Sequence, residues 1–139
     1  MSKFAGLPYP TRKTPLGYWY SQTGVDQIKS DMLTLLLTNP GERVMLPEFG
    51  TPLRRLIFEP NDETVALEAR TMIIESLLRW EPRVAITNVE VSNTVDENSL
   101  NNEDDNSQTE HILFVRIIFI DPENLAEVQE LTLQVPLTT

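Results

Sequence analysis

The sequence predicts an α+β fold. An N-terminal extended arm precedes two main helices and a short one, which pack on one face of a small, mostly antiparallel sheet of about three strands. Apolar residues recur at helical spacing between residues 25 and 80, and strand-like patterns follow from residue 84 onward. That order is typical of α+β proteins. The 139 residues contain no repeat and no linker, so we predict one domain over residues 1–139.

Residues 1–23 predict an arm rather than a helix. They combine closely spaced prolines with aromatic side chains, namely Pro8, Tyr9, Pro10, Pro15, Tyr18, Trp19 and Tyr20. Prolines at this density interrupt a helix, whereas aromatic residues are rare in disordered tails. We therefore predict an extended arm that lies on its own domain or on a neighbouring subunit, and the sequence leaves both alternatives open.

The first helix is predicted over residues 25–38, and Asn39-Pro40-Gly41 ends it. Its apolar positions share one face, at Val25, Ile28, Met32, Leu35 and Leu36. A short helix is predicted over residues 53–58, with Thr51 as the N-cap and Pro52 as the first helical residue.

A longer helix is predicted between Asn61, a favourable N-cap, and Pro82, which ends it. Asp62 and Glu63 lie in its first turn, where the helix dipole favours acidic residues. Its apolar face is expected at Ala66, Ala69, Ile73, Leu77 and Trp80. Trp80 is expected to fill part of the core.

Three strands are predicted in the last third of the chain. In the first, Val84 and Ile86 alternate in one phase and Val89 and Val91 in the other, which predicts a bulge near Thr87-Asn88. Residues 112–120 are apolar on both faces apart from Arg116, which predicts a central strand covered on both sides. A last strand over residues 131–135 has one polar face and ends at Pro136.

Composition restricts the possible functions. A net charge of −10 opposes nucleic-acid binding. No Cys and a single His leave no thiolate or His-rich metal site, and we expect no cofactor and no membrane contact. Residues 92–110 form an acidic insertion, which carries six acidic residues and no basic one between Asp96 and Glu110. A solvated loop is the plainest interpretation of such a run, and a partner contact is the alternative.

No catalytic signature is present, such as a Gly-rich phosphate loop, HExxH or GxSxG. Carboxylates at element boundaries, at Glu48, Glu59 and Glu81, leave a muralytic glycosidase acting through paired carboxylates as the alternative function. We predict no enzymatic activity.

Three short runs carry a resemblance to a known family. The run GERVMLPEFGTPLRRLIFEP at residues 41–60 is followed after one helix by WEPR at residues 80–83 and a strand, and GLPYP stands at residues 6–10. Together they resemble the baseplate wedge and sheath-initiator family of contractile phage tails, which includes the small wedge component of type VI secretion systems and members labelled lysozyme-like.

The resemblance implies a structural protein of the virion tail baseplate, assembled in the host cytoplasm. It implies wedge core proteins and the tail sheath protein as partners, the tail tube or hub as a further contact, and several copies, six by expectation, in a ring. The first ring of sheath would assemble on this template. The expected partner-binding residues are Arg43, Glu48, Glu81, Pro82, Arg83, Thr132, Leu133, Gln134 and Val135.

Glu81 and Arg83 lie on either side of Pro82, at the end of the long helix. They either pair with each other locally or present two charges on a stiff corner to partners. The sequence leaves both alternatives open, and the same holds for Glu48. Gly50 is expected to occupy a turn that requires positive φ. The last strand suits a sheet edge, where a strand of the sheath protein could pair with it.

Overall fold

The computed structural model describes residues 5–59, 63–92 and 112–136. Most of the acidic insertion, together with the predicted N-cap Asn61 and the neighbouring Asp62, lies outside these residues. The elements are β1 (Ala5–Gly6), β2 (Gln22–Thr23), α1 (Gly24–Leu37), a 3-10 helix (Leu53–Phe58), α2 (Glu63–Trp80), β3 (Ala85–Ser92), β4 (Ile112–Ile120) and β5 (Val128–Pro136). This order and composition confirm the predicted α+β class.

The main sheet is an antiparallel meander in the order β3-β4-β5. Ile86 pairs with Phe119 and Asn88 with Ile118, so the register shifts at Thr87. This shift confirms the predicted bulge. It turns Ile86 and Val89 toward the same face, because the extra residue reverses the alternation of side chains.

The core lies between the helices and one face of the sheet. Helix α1 contributes the stripe predicted from its periodicity, and β4 contributes every second residue. The buried apolar residues include Ile28, Met32, Leu35, Leu36, Ala69, Ile73, Leu77, Val89, Leu113, Val115, Ile117, Phe119, Leu131 and Leu133.

The other face of β4 corrects the expectation of a doubly covered strand. Phe114, Ile118 and Ile120 are only half-buried, and no helix packs on them among the described elements. They surround Arg116, which forms ion pairs with Glu90 and Glu130 on the neighbouring strands. Neighbours within the sheet therefore cover these side chains partly, and a run of apolar residues did not require a second layer.

Helix α2 differs from the prediction at two positions. Val65 is buried where Ala66 was expected, and the buried apolar positions of α2 are 65, 69, 73 and 77, each four residues after the last. Trp80 is half-buried at the end of the helix, so it covers the edge of the core rather than filling its centre. No helix in the described ranges is long and apolar enough to cross a membrane.

Thr51 does not cap the short helix, which is a 3-10 helix without a side-chain cap. Instead its side chain is fully buried and its hydroxyl donates to the Leu35 carbonyl of α1. Gly50 beside it has φ of 128°, and a Cβ there would lie 2.5 Å from the Thr38 carbonyl oxygen. This confirms the predicted turn, since only glycine tolerates both the dihedral angle and the close approach.

The arm is not one extended run. β1 pairs with β2 in a two-stranded antiparallel sheet, so the arm folds back on itself before α1 begins. Pro8 is buried and Gly6 lies against the Gln27 side chain. Part of the arm therefore lies on its own domain, which is one of the two predicted alternatives.

Candidate docking surface

The Glu-Pro-Arg corner follows directly from the end of α2. The Glu81 N–H still donates to the Leu77 carbonyl, as in a helix, and the exposed Pro82 then prevents a further turn. Glu81 is 6% exposed. Its carboxylate accepts a hydrogen bond from Arg83 Nε, so the two charges on either side of the proline pair with each other.

Arg83 also donates from Nη2 to Asp31 on α1, at 2.9 Å. The guanidinium thus lies between two carboxylates. The hydrogen bond with Glu81 raises the pKa of Arg83 most, and the bond with Asp31 raises it further against the effect of burial. The corner is therefore a fixed ion triplet that joins the end of α2 to α1, and the local-pairing alternative is realised.

Asp31 was not predicted as a site residue. Gln27 Nε2 donates to Asp31 Oδ1 at 2.7 Å, and on the same helix Ser30 Oγ donates separately to Gln22 Oε1 of β2 at 2.7 Å. The first half of α1 also carries polar residues at 26, 27, 29 and 30, so the sequence did not single out Asp31. Helix α1 contacts the root of the arm through Ser30 and the corner through Asp31.

A second cluster surrounds Trp80. The Phe49 ring meets the indole edge-on, with centroids 5.4 Å apart. Arg43 lies over the Phe49 ring and Arg79 over the Trp80 ring, each at 4.9 Å. Arg79 also forms an exposed ion pair with Glu48 at 2.6 Å. Surface hollows flank the indole on both sides, so cations, aromatic rings and hollows meet at one surface.

The loop before Phe49 presents an apolar knob, residues 44–46. Val44 and Met45 are each 91% exposed. The Gly41 N–H donates to the Pro47 carbonyl at 2.7 Å and closes the loop. Glu42 accepts from the Asn39 side chain, and this bond lowers the pKa of the Glu42 carboxyl. The knob is thus held by a hydrogen-bonded frame although its side chains face solvent.

The predicted residues of the last strand lie elsewhere, on β5. Leu133 and Val135 are buried in the core, whereas Thr132 and Gln134 are exposed on the opposite face. In the described part of the chain β5 pairs only with β4, so its outer edge is unpaired there. The structure therefore brings Arg43 and Glu48 together around Trp80, next to the corner, and leaves residues 132–135 as a separate surface.

The carboxylates considered for catalysis have other contacts. Glu81 is paired with Arg83 and Glu48 with Arg79, and the exposed Glu59 follows the 3-10 helix. A glycosidase needs two carboxyl groups that face a shared cleft, whereas Glu48 and Glu81 each contact an arginine of the fold. Across residues 5–59, 63–92 and 112–136, no group of three or more acidic or His side chains could hold a metal ion.

A sheet backed by helices, an ion triplet at the end of α2 and an exposed apolar knob are features typical of the class of proteins that assemble with other proteins. Comparison of the sequence with known protein families identifies the family of this chain. Residues 22–113 match the family of baseplate wedge protein gp25, and the chain belongs to that family, a structural component of the baseplate in contractile tail systems. The family resemblance predicted from the runs at residues 41–60 and 80–83 is thereby confirmed.

Known relatives agree with this assignment. Baseplate protein W of Escherichia phage P2 is 28% identical over 74 residues, which are 53% of this chain and 64% of that protein. The match thus spans slightly less than two thirds of the phage P2 protein.

Two solved structures share the fold. A chain of the anti-feeding prophage baseplate has a TM-score of 0.65 at 24% identity, over 89% of this chain and 86% of that chain. A putative tail lysozyme from Geobacter sulfurreducens has a TM-score of 0.64 at 23% identity, over 81% of this chain and 89% of that chain.

Proposed function

We propose that this chain docks on the wedge core of a contractile-tail baseplate and provides the template for the first ring of tail sheath, with several copies arranged in a ring. The observation that carries the template function is the outer edge of β5, with which no other described strand pairs. An exposed edge offers backbone N–H and C=O groups to an incoming strand without any special side chain. A terminal arm of the sheath protein is the proposed incoming strand.

Docking on the wedge core uses the surface around Trp80. The corner at Glu81–Arg83 stiffens this surface, because Arg83 joins α2 to α1 through Asp31. The knob provides apolar contact area, since Val44 and Met45 are each 91% exposed. Exposed apolar side chains on a fixed frame are typical of interface anchors.

Met45→Asp tests the docking proposal. Because Met45 is 91% exposed, the change should leave the melting temperature of the purified chain unaltered. In cells that assemble the particle, the variant should be absent from purified tails. Leu125→Asp is the matched control, since Leu125 is 79% exposed in the turn before β5. Equal incorporation of both variants would reject docking through the knob.

We further propose that the chain acts without catalysis. The ion pairs of Glu48 and Glu81 support this proposal, because both carboxylates already serve contacts within the fold. The purified protein should not lower the turbidity of a peptidoglycan suspension. A reproducible decrease that is abolished by Glu48→Gln, Glu59→Gln or Glu81→Gln would establish the glycosidase alternative instead.

A further inference from the structure

Residues 12–20 of the arm form a tight hairpin, which we call the aromatic hairpin. The Tyr20 N–H donates to the Arg12 carbonyl at 2.9 Å, and the Thr14 N–H donates to the Tyr18 carbonyl at 2.7 Å. At the tip the Gly17 N–H donates to the Thr14 carbonyl, and Gly17 has φ of 85°. This is a turn conformation for which glycine is suited. The hairpin therefore has a defined conformation.

The root of the hairpin is fixed to α1. β1 and β2 pair across its base, and Ser30 of α1 donates to Gln22 of β2 at 2.7 Å. Gly6 lies so close to α1 that a Cβ would be 2.6 Å from Gln27 Nε2. The hairpin is thus attached to α1 at its base.

The side chains of the hairpin face solvent. Leu16 at the tip is 83% exposed and Tyr18 is 73% exposed, and Trp19 and Tyr20 are exposed beside them. These residues bury little surface within the described chain, so the stability of this domain does not account for them. Rigid aromatic side chains are the residues that contribute most to protein interfaces, because little conformational entropy is lost on binding.

The charge of the hairpin is opposite to that of the chain. The first 25 residues include Lys3, Arg12 and Lys13 and no acidic residue, although the whole chain has a net charge of −10. Arg12 and Lys13 lie within the hairpin, and Lys13 Nζ stands 5.1 Å from the centre of the Trp19 ring. The hairpin therefore combines apolar area with positive charge, in contrast to the acidic character of the rest of the chain.

We propose that the aromatic hairpin is a docking peg for a different baseplate protein, whose receiving surface is an apolar groove with an acidic rim. Charge complementarity favours this partner over nucleic acid, which the net charge of −10 repels. A different protein is favoured over a second copy, because the two hollows beside Trp80 include Arg43 and Arg79 in their lining, and two carboxylates there, Glu48 and Glu81, already pair with arginines. The inference rests on the proposed incorporation of the chain into a baseplate, but it uses a surface apart from the knob and from β5.

Photo-crosslinking in assembled particles identifies the occupant. A benzophenone amino acid replaces Leu16 in the full chain, and a second variant carries it at Leu125, which is 79% exposed. We expect the probe at Leu16 to form one adduct, with a different baseplate protein, that the probe at Leu125 does not form. An adduct only with a second copy of this chain, or none in particles that contain the chain, would overturn the proposal.

Competition between variants tests the contact itself. Tyr18→Ser and wild-type protein are supplied together, and their ratio is measured in purified particles. Loss of an aromatic anchor should reduce incorporation by about tenfold or more, whereas Tyr18→Phe should compete as the wild type does. Melting curves of all three proteins should coincide, because Tyr18 is exposed. Equal competition by Tyr18→Ser would reject the peg, while absence of wild-type protein from particles would reject the proposed function and the peg with it.

Discussion

Replacing Arg83 with Gln removes the cation that holds a buried carboxylate. Arg83 bonds both Glu81 and Asp31, and the Glu81 side chain is only 7% exposed. Breaking one side of a fully buried pair costs about 3–5 kcal/mol. The Arg83 side chain itself is 35% exposed, and water at that side reduces the loss. We therefore expect Arg83→Gln to lower the free energy of unfolding by about 2 kcal/mol.

Arg79→Gln is the matched control for this prediction. Arg79 forms an ion pair with Glu48 at 2.6 Å, but the two side chains are 57% and 69% exposed. Exposed pairs contribute about 0–1 kcal/mol, so the same substitution should have little effect here. Urea denaturation of the wild type and both variants measures the difference. Small and equal losses for the two variants would show the prediction to be wrong, since burial is the main feature that distinguishes the pairs.

Three further predictions concern stability. Gly50→Ala should cost about 1–3 kcal/mol by urea denaturation, because the residue has positive φ and a Cβ would contact the Thr38 carbonyl; an unchanged midpoint would contradict this. Trp80→Ala should cost about 2–3 kcal/mol, less than full burial would imply, since the indole is half-buried; complete unfolding would show that it is a core residue. The hydrogen bond with Arg116 lowers the pKa of the Glu130 carboxyl, so the ionised carboxylate stabilises the fold above the pKa of the unfolded chain, and this stabilisation is lost as pH falls through the lowered pKa. Glu130→Gln should therefore make the melting temperature fall less on acidification. An unchanged fall would contradict a contribution of the Glu130–Arg116 pair.

Local patterns predicted much of the fold. The face of α1 and the end of α2 followed from apolar spacing and from the positions of proline. The bulge in β3 followed from the change of phase between Ile86 and Val89, because the alternation of a strand depends only on its own residues. The turn at Gly50 was predicted by a similar local argument, because a positive φ strongly favours glycine over other residues.

Contacts between distant segments were not predictable in the same way. Arg83 and Asp31 are 52 positions apart, and a sequence gives no distance between an α1 carboxylate and the end of α2. For the same reason the burial of Glu81, which is 6% exposed, did not follow from its position beside Pro82. The open face of β4 was missed because apolar side chains can be partly covered by neighbours within their own sheet.

In the arm, one prediction is confirmed and another was not possible. Its prolines predicted the absence of a helix, which holds for residues 5–23. Its aromatic residues predicted that the arm lies on its own domain or on a neighbouring subunit. The hairpin at Thr14–Gly17 carries a turn signal, since proline at the second position and glycine at the fourth are typical of such a turn. Its exposure was not predictable, because exposure depends on which distant segments pack against a residue in the folded chain.

We propose that this chain connects the wedge core to the sheath, and a structure of the assembled tail base tests this proposal most directly. We expect the surface around Trp80 and the knob to be covered by wedge proteins. We also expect a strand of the sheath protein to pair with the outer edge of β5. A tail base in which the chain is present but both surfaces are free of these partners would contradict the claim.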